Sequence, residues 1–315
     1  MSQANQRCQA KSLPRVLLFL LAAVLLFSAG SSAAGENPRQ SEELLRATYL
    51  RNMARLETSS FGLPLFLESS ERDGRVHADV YGIFDHPFGS VADVLKIPVN
   101  WCDIVTLHPN VKACISREVP SAWLLTFYLG RKFYQPLEDT HQVIYQYRQV
   151  ARQPGYLDII LSAGTGPFGT KDHRMRFEAL SLAGGRTFVH VSYAYSDSAA
   201  LRLAEKIYFT TLGRDKVGFT VTGTGRNGKP VYVGGPRGAI ERNAVRYYFA
   251  IHAFMNSLRY PVENRFSRRS SEWYDLTVRY REQLFDLDKK DYLIFKTKEH
   301  ENQLILQQRI GTGLR

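Results

Sequence analysis

From Val76 onward, apolar positions recur at every second residue. His77–Phe84 alternates apolar and polar side chains until Asp85-His86-Pro87 stops it, the pattern of a strand with one buried face. Ser90–Leu95 switches to helical spacing before Pro98, and Lys112–Arg117 and Trp123–Tyr134 read as strands parted by Pro120. In Gln142–Val150, Val143, Tyr145 and Tyr147 share one face, with Gln142, Gln146 and Arg148 on the other. Tyr156–Ser162, Met175–Leu182 and Thr187–Tyr195 continue the strands, and Ala183-Gly184-Gly185-Arg186 joins the last two as a tight hairpin. Asp197–Leu212 returns to helical spacing through Ala200, Leu203, Ala204, Ile207 and Tyr208. Val217–Thr222 and Val231–Val233 flank Asn227-Gly228, a hairpin signal.

The clearest helix follows. Gly234-Gly235-Pro236 opens it, and Ile240, Ala244, Tyr247, Tyr248, Ile251, Met255 and Leu258 repeat at steps of three and four until Pro261 ends it. Ahead of the strands, Ser41–Leu56 reads as a helix packed outside the main domain. Phe61–Leu67, with Pro64 inside, reads as an edge strand or extended segment before the turn Arg72-Asp73-Gly74. Ser271–Phe285 and Tyr292–Ile310 are charged, weakly amphipathic helices, an appendage without a core of its own.

Arg7, Lys11 and Arg15 precede the apolar run Val16–Phe27, which is short beside the about 20 residues of a membrane-spanning helix. With the small residues Ser32-Ala33-Ala34 behind it, the segment reads as a secretory signal over residues 1–34. Cys8 lies ahead of the apolar run, so no lipid-attachment cysteine follows it. The chain carries +11, and +8 without the three cations of residues 1–34. That excess favours an anionic membrane surface as a partner. Export and scattered charges, dense only at Arg268-Arg269, argue against nucleic acid.

Export leaves Cys102 and Cys114 in an oxidising compartment, where they are expected to form a disulfide. His108 lies between them, but two thiols and one imidazole are a poor metal set, and no metal or cofactor is expected. The resulting division is 1–34 signal peptide, 35–74 lead-in, 75–262 main domain and 263–315 C-terminal helical appendage.

Chemistry-bearing motifs are sparse. Gly164–Gly169 and Gly223–Gly228 both match the dinucleotide fingerprint, yet strand-like sequence follows each where a phosphate-binding helix must begin, so both read as hairpin loops. Asp85-His86 could act as an acid–base pair, but Asp85 reads better as the cap of the helix after Pro87. Glu241 and Arg242 open the long helix and read as a solvated face. No catalytic residue is assigned. The aromatics Tyr145, Phe177, Tyr193, Tyr247 and Tyr248 lie on strands or the long helix, and with Ile251 and Met255 they are the expected wall of an apolar pocket with a few polar handles.

This order of elements resembles the START-like superfamily, the helix-grip fold shared by lipid-transfer domains, polyketide cyclases and pollen-allergen-type proteins. The resemblance runs from about Val76 to Leu258. It rests on the first strand, the helical region FGSVADVLKIPVNWCDI, the antiparallel meander and the closing helix GAIERNAVRYYFAIHAFMNSL. Val91, Leu95 and Trp101 resemble the family's loose pattern around its first helices. It implies an α+β fold in which a curved antiparallel sheet wraps a long C-terminal helix, here with helical extensions at both ends. It also implies a cavity, though not a substrate. The leading expectation is an exported, periplasmic carrier of an apolar small molecule or lipid, such as a sterol or isoprenoid. The alternatives are a module that binds an envelope protein through its terminal helices, and a cyclase- or hydrolase-type enzyme using Asp85, His86 and His190.

Overall fold

The alternating stretches become one antiparallel sheet. The computed structural model describes residues 37–197 and 216–311; the expected signal segment and all of the expected helix 197–212 except Asp197 lie outside them. Eight strands, β1 (Leu65–Arg72), β2 (Arg75–Phe84), β3 (Val111–Val119), β4 (Ala122–Leu129), β5 (His141–Gln153), β6 (Tyr156–Thr165), β7 (Lys171–Leu182) and β8 (Arg186–Ser196), lie in the order β1-β2-β8-β7-β6-β5-β4-β3. Strands β3 to β8 form a meander of successive hairpins, and β2 closes on β8 with Val76 opposite Tyr195 and Val80 opposite Val191. A separate ribbon, β9 (Val221–Thr224) and β10 (Pro230–Tyr232), turns at Asn227-Gly228, where Gly228 supplies a positive φ of 73°.

The helices are α1 (Pro38–Glu57), α2 (Phe88–Leu95), α3 (Pro98–Val105), α4 (Gly235–Ser257), α5 (Val262–Val278), α6 (Arg281–Leu284) and α7 (Lys289–Gly311). Pro98 starts α3 instead of ending the helical region, because proline lacks only an N–H that a first turn leaves unused. The expected cap is also corrected: Pro87 occupies the N-cap of α2, and no side chain bonds there. Strand β4 stops at Leu129, short of the expected Tyr134, because Gly130 is captured by Asn110 through bonds of 2.7 and 2.8 Å.

The two faces of the sheet have different covers. Inward residues such as Val80, Phe127, Tyr145, Ile159, Phe177 and Val191 pack on α2, α3 and α4. Outward Tyr156, Leu180 and Phe188 pack beneath Leu45 and Leu56 of α1. Ala113, Ile115 and Tyr128 pack beneath Leu306 and Ile310 of α7. Helix α4 is buried nearly all round because α5 covers its back, where Trp273 Nε1 donates to the Arg246 carbonyl at 3.0 Å. Glu241 and Arg242 therefore do not form the solvated face expected of them. Glu241 is fully buried and accepts N–H bonds from Phe219 (2.6 Å) and Thr220 (3.0 Å), while Arg242 donates to the carbonyls of Lys216 and Val217.

Two close contacts fix the grip. Gly82 on β2 lies under Tyr248, and a Cβ there would fall 2.1 Å from the phenol oxygen. The disulfide Cys102–Cys114 ties α3 to β3 with Cα atoms 4.9 Å apart.

Gly82→Ala is expected to lower unfolding free energy by about 1–3 kcal/mol through overpacking, measured by urea denaturation. The paired change Cys102→Ser with Cys114→Ser is expected to cost about 3 kcal/mol through the opened loop, with wild-type protein under reductant matching it.

Candidate functional site

The space between sheet and α4 is where a ligand would have to lie, and every residue expected to line it is buried in the same core. Tyr145 on β5 packs on Phe127 with ring centroids 4.5 Å apart. Phe177 on β7 meets Trp101 of α3 at 5.9 Å, and Tyr193 on β8 stands edge-on to Tyr247 at 5.7 Å. Tyr248 turns to Phe84 at 5.4 Å, beside Gly82. Of these residues, Phe177, Tyr247 and Ile251 border an apolar void, together with Trp101, Val105 and Leu161. Tyr145, Tyr193, Tyr248 and Met255 are buried but stand outside its wall.

The void measures about 10 Å³. That is room for roughly one water molecule, whereas sites for drug-sized ligands run to about 300 Å³ or more. Among the described residues, side chains thus close this part of the interior. Titratable side chains of the surrounding interior are held neutral. Burial pushes the Tyr145 and Tyr247 hydroxyls far above the usual phenol range, and Tyr193 up to about 12. Burial holds His173 down to about 4, with its ring 2.7 Å from Thr170 Oγ1 and 3.4 Å from the Tyr193 hydroxyl. Burial, then Arg246, pushes His108 well below its ordinary value. Tyr247 borders the void, with its ring edge-on to Tyr193.

The residues named for acid–base chemistry do not converge on this space. His86 Nε2 sits 2.8 Å from Asn256 Oδ1 near the end of α4. His190 lies on the opposite face of the sheet. There Nδ1 is 2.7 Å from Glu178 Oε2 and Nε2 is 2.7 Å from Asp79 Oδ1. Tyr81 stacks on the ring at 4.3 Å, Tyr156 donates to Glu178 at 2.5 Å, and Arg176 forks onto Asp158 at 3.0 and 2.7 Å. Burial opposes the charge on His190, but the bonds to Asp79 and Glu178 outweigh it and raise the ring to about 9. Burial likewise opposes Asp79, yet hydrogen bonds from His190 and His77 hold its carboxyl well below the usual range. With both nitrogens committed to carboxylates, His190 serves as a charged tie between strands; no ring nitrogen is left to act as a base.

Sequence reading missed Trp101 and Val105 as part of the void's wall because it drew that wall only from the strands and the long helix, whereas these two lie on α3. The alternation of Leu157, Ile159 and Leu161 could have identified β6's contribution. The outer network was invisible for another reason: its charges occupy the polar phase of each strand, which looks solvated until α1 is placed over it.

No family model matches the chain, and no curated protein matches its sequence. Among solved structures it is similar to the Zhui aromatase/cyclase of a Streptomyces species, at 13% identity over 41% of this chain and 72% of that one, with a TM-score of 0.30. It is also similar to human StAR-related lipid transfer protein 5, at 10% identity over 56% and 91% of the two chains and a TM-score of 0.28. A STAR-related lipid transfer protein from Xanthomonas axonopodis gives 12% identity, 47% and 94% coverage, and 0.29.

His190 stabilises the fold below its unfolded pKa, near 6.5, and loses that contribution as pH rises through about 9. Wild-type protein is therefore expected to lose on the order of 2–3 kcal/mol relative to His190→Gln between those limits, read from denaturation curves at each pH.

Strand β2, the pair α2–α3, the meander β3–β8 and the closing helix α4 together make an α+β helix-grip fold, an antiparallel sheet packed on a long helix.

Proposed function

We propose that this is an exported, periplasmic protein that binds or transfers a lipid, sterol or isoprenoid between the sheet and α4. The observation that carries this reading is the apolar void between the sheet and α4, bordered by Phe177, Tyr247 and Ile251. A ligand oxygen paired with the Tyr247 hydroxyl would contribute about 1 kcal/mol. The neutral tyrosines and histidines of the interior suit an uncharged molecule with one polar end. Basic residues ahead of an apolar run support export, as does the disulfide.

The closed interior sets the energetic terms. An empty hole of about 300 Å³ would cost roughly 7 kcal/mol at the usual penalty per unit volume, so an apolar interior shuts without a guest. Burying about 400 Å² of ligand surface contributes on the order of 10 kcal/mol before entropic losses. The two are comparable. Binding must therefore part α4 from the sheet, and affinity is set by the small surplus.

Mass spectrometry of lipids extracted from natively purified protein, with titration of fluorescent fatty-acid and sterol probes, tests the proposal. Bound apolar molecules are expected, with Ile251→Trp abolishing binding by filling the void and Tyr247→Phe weakening it about five- to tenfold. No co-purifying lipid and no probe binding would sink it.

A second reading, an envelope interaction module, is favoured by the exposed side chains Ile294, Leu304 and Ile305 on α7. Ile305 also borders an open groove of about 460 Å³, with Tyr134, Leu137 and Leu306. Leu304→Glu with Ile305→Glu tests it without disturbing Trp273 and Tyr292, which belong to the main core. Loss of a captured envelope protein with apolar probe binding intact would favour this reading over the first.

A further inference from the structure

We propose that Lys132, Lys216 and Arg246, gathered around Asp286, form a binding site for a phosphate group. The four residues come from four separate places: the segment after β4, the segment before β9, the middle of α4 and the link between α6 and α7. Arg246 Nη2 is 2.6 Å from Asp286 Oδ2, Lys132 Nζ is paired with Asp286 Oδ1, and Lys216 Nζ is 3.7 Å from the same oxygen. Among the described residues no other carboxylate pairs with any of the three cations. The cluster carries an excess of two positive charges.

The donors are as unbalanced as the charges. Arg246 is 2% exposed, and both of its hydrogen bonds leave from Nη2, to Asp286 and to the Leu284 carbonyl at 3.4 Å. Its Nε is buried with no partner at all, a deficit that native interiors rarely leave unmet. Among the described residues, Lys132 bonds only to Asp286, and Lys216 adds only the Phe285 carbonyl at 2.9 Å. Burial, then repulsion from Arg246, lowers Lys132 to about 8 despite the neighbouring carboxylate. His108, also held neutral beside Arg246, adds no negative charge.

A second cationic cluster shows what a saturated arrangement looks like in this chain. Lys112 and Lys296 share Glu299, but they also donate to the carbonyls of Pro109, His108 and Val111 at 2.7–3.0 Å. Their side chains are sealed at 1% and 3% exposure. The side chains of Lys132 and Lys216 are instead 34% and 33% exposed, so an ion can reach them from solvent. Two mobile ammonium groups over a fixed guanidinium, with a local charge of plus two, match a dianionic tetrahedral group. A free phosphate and a phosphate on a lipid headgroup supply the same chemistry. The site is independent of the apolar interior, and absence of a guest there would leave it standing.

The test uses the full chain, titrated calorimetrically with inorganic phosphate and floated with phosphatidic acid or phosphatidylcholine vesicles. Lys132→Gln with Lys216→Gln leaves Arg246 and Asp286 as a one-to-one pair, so folding should survive and is checked by melting. Arg117→Gln with Arg148→Gln removes the same charge from exposed positions elsewhere. Phosphate is expected to bind and to raise the melting temperature of wild type, with affinity at least tenfold weaker in the lysine pair and unchanged in the arginine pair. Binding to phosphatidic acid vesicles alone, lost in the same selective way, would identify the lipid headgroup as the source. Neither ligand binding at millimolar concentration, or equal losses in both double variants, would overturn the site.

Discussion

An eight-stranded sheet with one apolar face must bury that face, and the helix α4 is what it closes on. Everything else is arranged around this contact. The phase of each strand decides which residues meet the helix, and Gly82 lets the Tyr248 ring lie directly against β2. Helices α2 and α3 cover the part of the sheet that α4 does not reach, and the Cys102–Cys114 bond holds that cover to β3. Helix α5 then seals the back of α4, which explains why a helix with a recognisable apolar stripe is buried on nearly every side.

The free edge at β3 is managed in a distinctive way. Gln303 Oε1 accepts the Cys114 N–H, Gln307 both accepts from and donates to the Ser116 backbone, and Lys296 takes the Val111 carbonyl. Side chains from one face of α7 thus stand in for the missing strand. Unpaired edges invite association with other chains. Here the backbone groups are satisfied by a helix, and α7 becomes part of the domain's stability as well as its surface.

Charge is sorted by layer. The grip's interior holds neutral tyrosines and histidines, while His190, Asp79, Glu178, Arg176 and Asp158 form a tight network on the far side of the sheet. Burying ions is costly unless each is paired, and in that network each is. Positive charge accumulates most around Asp286, where three cations share one carboxylate, against two on Glu299. An uncharged interior and a cationic niche are suited to different chemistry, and the fold keeps them on different side chains.

Period-two alternation made the strands legible from sequence, because the direction of each side chain in a strand is fixed by its parity alone. The long helix, the hairpin at Asn227-Gly228 and the pairing of Cys102 with Cys114 were legible for similarly local reasons. Other properties depended on what lies across the chain. Glu241 looks solvated until residues 216–220 fold over it, and His190 looks like a cavity base until its strand parity is combined with β7 and β2. Pro98 reads as a stop or a start with equal ease, since only the packing of α3 beneath the sheet distinguishes the two. The sequence alone determined the order of elements and which residues turn inward. Only the tertiary structure decided that the interior is nearly full and that three cations share one carboxylate, because volume and charge balance are sums over distant segments.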